Sequence, residues 1–236
     1  MLLYYITDRA QFPGTERKSR ERLLNKIAEA ASAGVDYVQL REKDLPAREL
    51  ESLAQQAAQI IRDSGSSTRL LINSRTDIAL VAQAHGVHLT SNDISPADAR
   101  KIWHEAQSSE PIIAVSCHSE ADVIAAERAF DRATTDIRAR RAHADADRVA
   151  AAVHARPASA NFVVFGPIFE KRGATRMPIG LDELRKVCQH RIPVFALGGV
   201  TTENAHLCIE AGASGVAGIR LFQENDLDEV ITKLRD

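Results

Sequence analysis

The sequence predicts an α/β protein that folds as a single (β/α)8 TIM barrel over residues 1–236. Three observations lead to this fold class: a length of 236 residues, short apolar runs rich in Val and Ile, and a segment of helical spacing after nearly every run. Regular alternation implies parallel strands joined by right-handed crossovers. Eight strand–helix pairs suit one closed barrel, because α/β barrels commonly reach roughly 200–250 residues as one domain. An open doubly wound sheet is the alternative.

The strands are predicted from short apolar runs bounded by polar or turn-forming residues. They are expected at Leu2–Ile6, Val35–Leu40, Arg69–Ile72, Gly86–Leu89, Pro111–Val115, Phe162–Phe165, Ile192–Leu197 and Gly215–Ile219. Helices are predicted where apolar residues recur every three to four positions, and proline is compatible with a first helical turn. They are expected at Glu16–Ala33, Pro46–Asp63, Asp77–Ala84 and Pro96–Ala106, and from about Glu120, Asp182, Glu203 and Leu227.

One segment interrupts this alternation. Residues 131–160 are long, rich in Ala and dense in Arg, and they include Arg138-Ala139-Arg140-Arg141. Charged residues four positions apart are typical of a solvated helix, so an extended fifth helix is the first interpretation. A basic docking surface is the second.

The composition indicates a packed protein, with 44% hydrophobic and 26% charged residues. A net charge of −2 gives no field that would attract nucleic acid. No apolar run approaches the roughly 18 residues of a membrane span, and Asp8-Arg9 comes too early for a signal peptide. Cys117, Cys188 and Cys208 show no disulfide or zinc spacing. We therefore expect a cytoplasmic protein with reduced thiols, and neither nucleic acid nor a membrane as partner.

Two glycine-rich turns follow the last two predicted strands, at Gly198-Gly199 and at Gly218-Ile219. Glycine lets backbone N–H groups approach an anion closely, and a following helix N-terminus adds a favourable partial charge. Ordinary strand-to-helix turns are the alternative. The barrel favours a phosphate site, because this fold commonly binds phosphate after strands seven and eight.

The second strand ends in Gln39-Leu40-Arg41-Glu42-Lys43, and barrel active sites lie at such carboxyl ends. Period-two alternation places Gln39, Arg41 and Lys43 on one side. An Arg fork and a Lys charge beside an amide suit a diphosphate attached to a heterocyclic ring. A solvated charge run is the alternative for Arg41-Glu42-Lys43.

Two oxygen-bearing side chains follow the next strands. Asn73 closes the third strand and Asp93 follows the fourth, so both could face one hard cation such as Mg²⁺. For Asp93 the alternative is an N-cap of the helix that Pro96 opens.

Ser116 and His118 flank Cys117 at the end of the fifth strand. Adjacent side chains on an extended chain point apart and no orienting acid is visible, so a nucleophilic triad is not expected. We expect Ser116 to donate its hydroxyl to phosphate and His118 to act as a general acid or base or a polar contact. A structural histidine is the alternative for His118, and Cys117 is expected to be a packing residue.

Taken in order, the strand-end segments resemble the thiamine-phosphate synthase and TenI superfamily. The resemblance covers most of the chain. It rests on Tyr5-Ile6-Thr7-Asp8, Val38-Gln39-Leu40-Arg41-Glu42-Lys43, Leu71-Ile72-Asn73, Gly86-Val87-His88-Leu89, Val115-Ser116, Phe165-Gly166-Pro167-Ile168-Phe169, Leu197-Gly198-Gly199-Val200 and Ala211-Gly212-Ala213.

The resemblance implies a barrel enzyme that uses Mg²⁺ to join hydroxymethylpyrimidine diphosphate to a thiazole phosphate, with release of pyrophosphate. It implies that the pyrimidine diphosphate is held by Gln39, Arg41 and Lys43 and touched by Asn73 and Ser116, and that Asp93 binds Mg²⁺. The thiazole phosphate would lie at Gly198-Gly199 and Gly218-Ile219. Gly166 and Lys171 are also expected to contact substrate, and Arg41, Lys43 and His118 are the expected catalytic residues.

Two departures from the family pattern keep other functions open. Ser74 stands where the synthases usually have an acidic residue, so one anionic Mg²⁺ ligand is missing. The family's Thr-Pro-Thr-Lys loop is replaced by Glu170-Lys171-Arg172-Gly173-Ala174-Thr175-Arg176, in which Lys171, Arg172 or Arg176 would supply the cation.

These departures favour a TenI-like thiazole phosphate tautomerase, for which His118 would carry the proton without a metal. A barrel that binds thiazole phosphate without catalysis is a third interpretation, and a phosphosugar isomerase barrel is a fourth. The polar set at the strand ends favours the synthase. The oligomeric state is left open, with a homodimer as one expectation.

Overall fold

The computed structural model describes residues 1–107, 109–127, 160–170 and 177–235. Within them, eight parallel strands form a closed barrel in sequence order, and β1 pairs with both β2 and β8. The strands are β1 Leu2–Ile6, β2 Tyr37–Leu40, β3 Arg69–Asn73, β4 Gly86–Leu89, β5 Ile112–Cys117, β6 Phe162–Phe165, β7 Val194–Leu197 and β8 Gly215–Gly218. The predicted (β/α)8 barrel is confirmed, and the open sheet is excluded.

Helices follow the strands around the outside of the barrel. They are α1 Glu16–Ser32, α2 Ala47–Asp63, α3 Thr76–Val81, α4 Pro96–Ala106, α5 at residues 120–127, α6 Leu181–Val187, α7 Ala205–Glu210, α8 Arg220–Gln223 and α9 Leu227–Arg235. A short 3₁₀ helix also occupies Arg9–Gln11. In the described residues no helix is both long and apolar enough to cross a bilayer.

The sequence explains why these helices form and pack. The buried residues of α2 recur at three- and four-residue spacing, as Leu50, Leu53, Ala54, Ala57, Ala58 and Ile61. Burying each of the larger ones stabilises the fold by about 1.5–3 kcal/mol. At the start of α4, the Ser95 hydroxyl accepts a hydrogen bond from the Asp98 amide at 3.1 Å, and Pro96 occupies the first turn.

The barrel interior is filled by aromatic rings toward the amino ends of the strands. Tyr4, Tyr37, Phe162 and Phe195 pack with ring centroids 4.7–5.9 Å apart. This cluster includes the first residues of β2 and β6, so it closes the barrel at that end. The polar side chains farther along the strands are therefore left at the open, carboxyl end.

Several element boundaries differ from the sequence prediction. The β7 strand begins at Val194 because Pro193 has no N–H to donate to the sheet. The α7 helix begins at Ala205, since the Asn204 side chain first closes a turn by accepting from the Thr201 amide at 2.8 Å. Helix α8, directly after β8, was not expected. The proposed fifth helix over 131–160 lies outside the described residues, apart from its last residue.

Candidate active site at the carboxyl ends of the strands

A buried ion pair fixes the loop that follows β2. The Glu42 carboxylate accepts hydrogen bonds from the Thr7 hydroxyl at 2.6 Å, from the Arg9 amide at 3.0 Å and from the Arg9 guanidinium at 3.1 Å. The Thr7 hydroxyl oxygen in turn accepts from the Arg41 amide at 2.9 Å. Thr7 and Arg9 follow β1, whereas Arg41 and Glu42 follow β2. These bonds therefore connect the first two loops at the open, carboxyl end of the barrel, which we call the mouth.

Charges around Arg9 complete this network. Its guanidinium also bonds both oxygens of Asp44 at 2.6 Å, and the Arg9 hydrogen bond lowers the pKa of Asp44 to about 2. Burial raises the pKa of Glu42, against the effect of the Thr7 and Arg9 hydrogen bonds. Glu42 is 3% exposed and Arg9 is 5% exposed. The alternative of a solvated charge run at Arg41-Glu42-Lys43 is therefore wrong for Glu42, which is a structural anion.

The side chains on either side of Glu42 keep the alternation that the sequence predicts. Arg41 is half-buried and Lys43 is exposed, and neither forms an ion pair within the part of the chain that the structure describes. The hydrogen bonds of Glu42 fix the loop after β2, which places both cations at the rim of the barrel. Their contact with a diphosphate remains a prediction.

Gln39 lies inside the barrel mouth. It is two residues after Tyr37 in β2, so it is on the same face of the strand and closer to the carboxyl end. It is 1% exposed, and its Nε2 has no hydrogen-bond partner among the described residues. The amide lies beside the Tyr4 hydroxyl without reaching hydrogen-bonding geometry. Most buried amides are satisfied, so this unsatisfied donor is suited to a ligand acceptor.

Asn73, Ser74 and Asp93 lie together, as expected for neighbouring strand ends. Asn73 Nδ2 donates to Ser74 Oγ at 3.0 Å, and Ser74 Oγ donates to Asp93 Oδ2 at 2.8 Å. The same Asp93 oxygen accepts from the Thr90 amide at 2.6 Å and the Thr90 hydroxyl at 2.9 Å. The helix-cap interpretation of Asp93 is wrong, because Ser95 caps α4.

Asn73 and Ser74 line a cavity of about 320 Å³ at the edge of the mouth. Its walls come from the loops after β2, β3 and β4, and they include Leu40, Lys43, Asn73, Ser74 and Thr90. The cavity is large enough for a small phosphorylated molecule or part of one.

Ser116 contacts a histidine that was not among the predicted site residues. Its Oγ lies 2.8 Å from His88 Nε2, and His88 Nδ1 lies 2.9 Å from the Tyr4 hydroxyl. His88 is 2% exposed, and burial lowers its pKa to about 3, so the ring is neutral near pH 7. The available signal was a polar residue inside the otherwise apolar strand Gly86-Val87-His88-Leu89.

His118 is exposed at the rim of the mouth, beyond the end of β5. Its Nδ1 lies 2.7 Å from the Gly166 carbonyl oxygen, and its amide donates to Asp122 at 2.9 Å. A carbonyl oxygen only accepts, so Nδ1 carries the proton. Nε2 of the neutral ring therefore holds a lone pair. Cys117 is fully buried, and burial raises its pKa to about 12, as suits a packing residue.

The glycines of the turns after β7 and β8 carry no Cβ beside their backbone N–H groups, as close approach of an anion requires. Gly198 and Gly199 have φ of 99° and 67°, and a Cβ on Gly199 would lie 2.6 Å from the Glu170 carbonyl oxygen. Gly218 ends β8, and Ile219 precedes α8 as its cap residue. A Cβ on Gly166, after β6, would lie 2.0 Å from the Leu197 carbonyl oxygen. Only glycine fits at Gly166 and Gly199.

The positions of three predicted cationic side chains relative to the mouth are not described. Lys171, Arg172 and Arg176 lie outside the described residues, so their contact with substrate remains a prediction. Tyr4 and Arg9 were not expected at the site, because their roles depend on contacts with His88 and Glu42, which are distant along the chain.

The closed barrel, with polar side chains gathered at the carboxyl ends of its strands, defines the class of protein: an enzyme of the (β/α)8 type. Residues 3–133 and 142–222 match the family model described as thiamine monophosphate synthase. The chain belongs to this family, so the predicted resemblance is confirmed.

Relatives of known name agree with this assignment. The chain is 38% identical over 218 residues to a putative thiamine-phosphate synthase of Geobacter sulfurreducens, covering 91% of this chain and 83% of the relative. It is 31% identical over 238 residues to the thiamine-phosphate synthase of Methanoculleus marisnigri, covering 99% and 93%. The solved thiamine phosphate pyrophosphorylase of Pyrococcus furiosus is similar over 99% of this chain and 93% of its own, with 25% identity and a TM-score of 0.72.

Proposed function

We propose that the protein is a thiamine-phosphate synthase that couples hydroxymethylpyrimidine diphosphate with thiazole phosphate and releases pyrophosphate. The observation that carries the proposal is the buried, unsatisfied amide of Gln39 beside the cations Arg41 and Lys43, with glycine turns on another side of the same mouth. A tautomerase acts on thiazole phosphate alone, so it has no use for the first set of groups, Gln39, Arg41 and Lys43. The glycine turns are the second set.

The first set would bind the pyrimidine diphosphate. The Gln39 amide would donate to an acceptor on the ring, and Arg41 and Lys43 would hold the diphosphate oxygens. Asn73 and Ser116 would add neutral donors. These groups would neutralise the diphosphate as its bond to the ring methylene carbon breaks.

The second set would bind the partner substrate. The turns at Gly198-Gly199 and Gly218-Ile219 would hold the thiazole phosphate, and the Gly166 backbone, which packs against Leu197 just before the first turn, would contact it. Pyrophosphate would leave first, with the electron pair of the broken C–O bond, and the thiazole nitrogen would then form the new C–N bond to the methylene carbon of the pyrimidine cation. Positioning would supply much of the rate, and no protein nucleophile is needed.

A magnesium ion fits this donor set in one arrangement. Asp93 Oδ2 already accepts three hydrogen bonds, whereas Oδ1 accepts none from the described residues. Asp93 Oδ1 would therefore hold the ion, with waters and the substrate diphosphate as the other ligands. Bound there, Mg²⁺ would neutralise charge on the leaving diphosphate. Ser74 is a neutral group beside Asp93, so the protein contributes one carboxylate.

The direct test supplies both substrates with and without Mg²⁺ and measures thiamine phosphate and pyrophosphate. We expect both products, and only with the metal. Arg41→Ala should reduce kcat/KM at least tenfold, whereas Arg62→Ala, which removes an exposed arginine from α2, should not change it. No product at saturating substrates would overturn the proposal.

The second candidate function is thiazole phosphate tautomerisation, which is favoured by the exposed His118 ring, whose Nδ1 contacts the Gly166 carbonyl oxygen and whose Nε2 has no hydrogen-bond partner among the described residues. Under this alternative, isomerisation of thiazole phosphate would proceed in the presence of a chelator and His118→Ala would abolish it. Binding of thiazole phosphate with neither reaction would instead favour a non-catalytic binding barrel.

We also propose that the protein acts in the cytoplasm, because Cys117, Cys188 and Cys208 are all unpaired. Subcellular fractionation tests this location. A homodimer remains an expectation, which light scattering of the purified protein would check.

A further inference from the structure

Three side chains from three separate strands form one line of hydrogen bonds through the barrel interior. The Tyr4 hydroxyl of β1 lies 2.9 Å from His88 Nδ1 of β4, and His88 Nε2 lies 2.8 Å from Ser116 Oγ of β5. Tyr4 is fully buried, His88 is 2% exposed, and Ser116 is half-buried at the mouth. The line therefore runs from the interior toward the ligand side.

The direction of these bonds follows from the partners. Within the described residues, the Tyr4 hydroxyl forms its one hydrogen bond with His88 Nδ1, and the neighbouring Gln39 amide does not reach hydrogen-bonding geometry. If His88 carried its proton on Nδ1, two hydrogens would face each other or the buried Tyr4 O–H would have no acceptor. Tyr4 must therefore donate to Nδ1, which places the His88 proton on Nε2.

Burial supports a single proton on this ring. It lowers the pKa of His88 to about 3, and the nearby Arg41 charge acts in the same direction. A neutral histidine with Nδ1 as acceptor donates from Nε2 to Ser116 Oγ. The hydroxyl hydrogen of Ser116 then cannot point back at His88, so it points away from the line.

We propose that Tyr4 and His88 are positioning residues that orient the Ser116 hydroxyl as a donor toward an anionic oxygen of the ligand. The His88 N–H occupies one of the two acceptor lone pairs of Ser116, so the hydroxyl hydrogen is left for the ligand. That this oxygen belongs to a diphosphate rests on the proposed function, but the orientation of the line does not. Each bond also polarises the next, which strengthens the last donor.

The first test is spectroscopic and needs no activity. Nitrogen-15 NMR of histidine rings in the full-length protein, assigned with His88→Gln, should show His88 as the Nε2–H tautomer at neutral pH. In Tyr4→Phe the tautomer should become mixed. Tyr5→Phe is the matched control, since it removes an equally buried hydroxyl on the same strand, bonded to Gln223 at 3.1 Å instead. It should leave the His88 tautomer unchanged.

The second test measures binding of inorganic pyrophosphate by calorimetry. Tyr4→Phe should weaken binding about three- to tenfold, as expected for one oriented hydrogen bond. In a Ser116→Ala background the same change should have no further effect, because the line then has no terminal donor. His88→Gln, which keeps an N–H donor, should retain more affinity than His88→Leu.

Three results would overturn the inference: an Nδ1–H tautomer in the parent protein, an equal loss of affinity in Tyr5→Phe, or additive effects of Tyr4→Phe and Ser116→Ala. A protein that binds pyrophosphate with these dependences but makes no thiamine phosphate would retain the inference and lose the proposed reaction. Thermal unfolding of each variant confirms that it is folded.

Discussion

Ser74 shows how one neutral side chain sets the charge of the mouth. Its hydroxyl donates to Asp93 Oδ2 at 2.8 Å. The position at which the family pattern has an acid therefore provides a hydrogen bond to the Asp93 carboxylate instead of a second negative charge. Its φ of 62° lies in the left-handed region, which Asn and Asp tolerate better than most residues. The site can therefore accept a carboxylate or an amide at this position with little backbone strain.

Ser74→Asp should tighten Mg²⁺ binding about tenfold, equal to about 1.4 kcal/mol, because it adds a second carboxylate ligand. Without metal the same variant should be less stable than the parent, since two carboxylates would repel each other. Thermal unfolding in a magnesium titration measures both effects. Ser74→Asn is the control of similar size without the charge, and an equal magnesium response in both variants would exclude a metal at Asp93.

Arg9 and Glu42 make a second residue-scale prediction. Arg9→Met leaves the Glu42 carboxylate buried without its cation, so the free energy of unfolding should fall by about 3–5 kcal/mol in urea titrations. The double variant Arg9→Met/Glu42→Gln should recover part of this loss. If the free energy of unfolding of Arg9→Met falls by less than about 1 kcal/mol, the Arg9–Glu42 ion pair does not fix the loop after β2.

At the scale of elements, the short loops after the strands are shaped by glycines with different constraints. Gly199 and Gly65 have similar φ values, 67° and 64°. A Cβ on Gly199 would meet the Glu170 carbonyl oxygen at 2.6 Å, whereas a Cβ on Gly65 would meet nothing within 4 Å. The two positions therefore separate backbone strain from steric contact.

Gly65→Ala should cost about 1 kcal/mol of stability, from strain alone. Gly199→Ala should cost clearly more, because the loops after β6 and β7 must move apart, and it should weaken thiazole phosphate binding. Urea unfolding and calorimetry measure the two effects. Equal stability losses in both variants would show that the β7 turn does not require close contact with the β6 loop.

At the scale of the whole molecule, His88 links stability to pH. Its pKa falls from 6.5 to about 3 on folding, so between these values the unfolded chain binds a proton that the folded protein does not. The contribution of His88 to stability should therefore fall as pH decreases from about 6.5 toward 3, by up to about 4–5 kcal/mol.

Urea unfolding at several pH values should show this slope, and His88→Gln should flatten it. His85→Gln should remove a smaller part, because burial lowers the pKa of half-buried His85 as well. A parental slope that survives His88→Gln would place the linkage elsewhere.

Much of this architecture could be predicted from the order of the residues. Alternating apolar and helical patterns predicted eight parallel strands, and barrel geometry then indicated which loops form the mouth. Gly86–Leu89, Pro96–Ala106 and Phe162–Phe165 match the observed bounds. Helix α8 was missed because four residues are too few for a helical pattern.

Local periodicity and the order of the strand-end segments were enough to predict the fold, the position of the mouth and the family. The burial of Glu42 against Arg9, the hydrogen bond from Ser74 to Asp93 and the path from Tyr4 through His88 to Ser116 arise only when the barrel is assembled. Tyr4 and His88 are 84 positions apart, and their contact depends on the register and tilt of strands around the closed barrel. No local pattern encodes that distance, so the orientation of the Ser116 hydroxyl is a property of the assembled barrel.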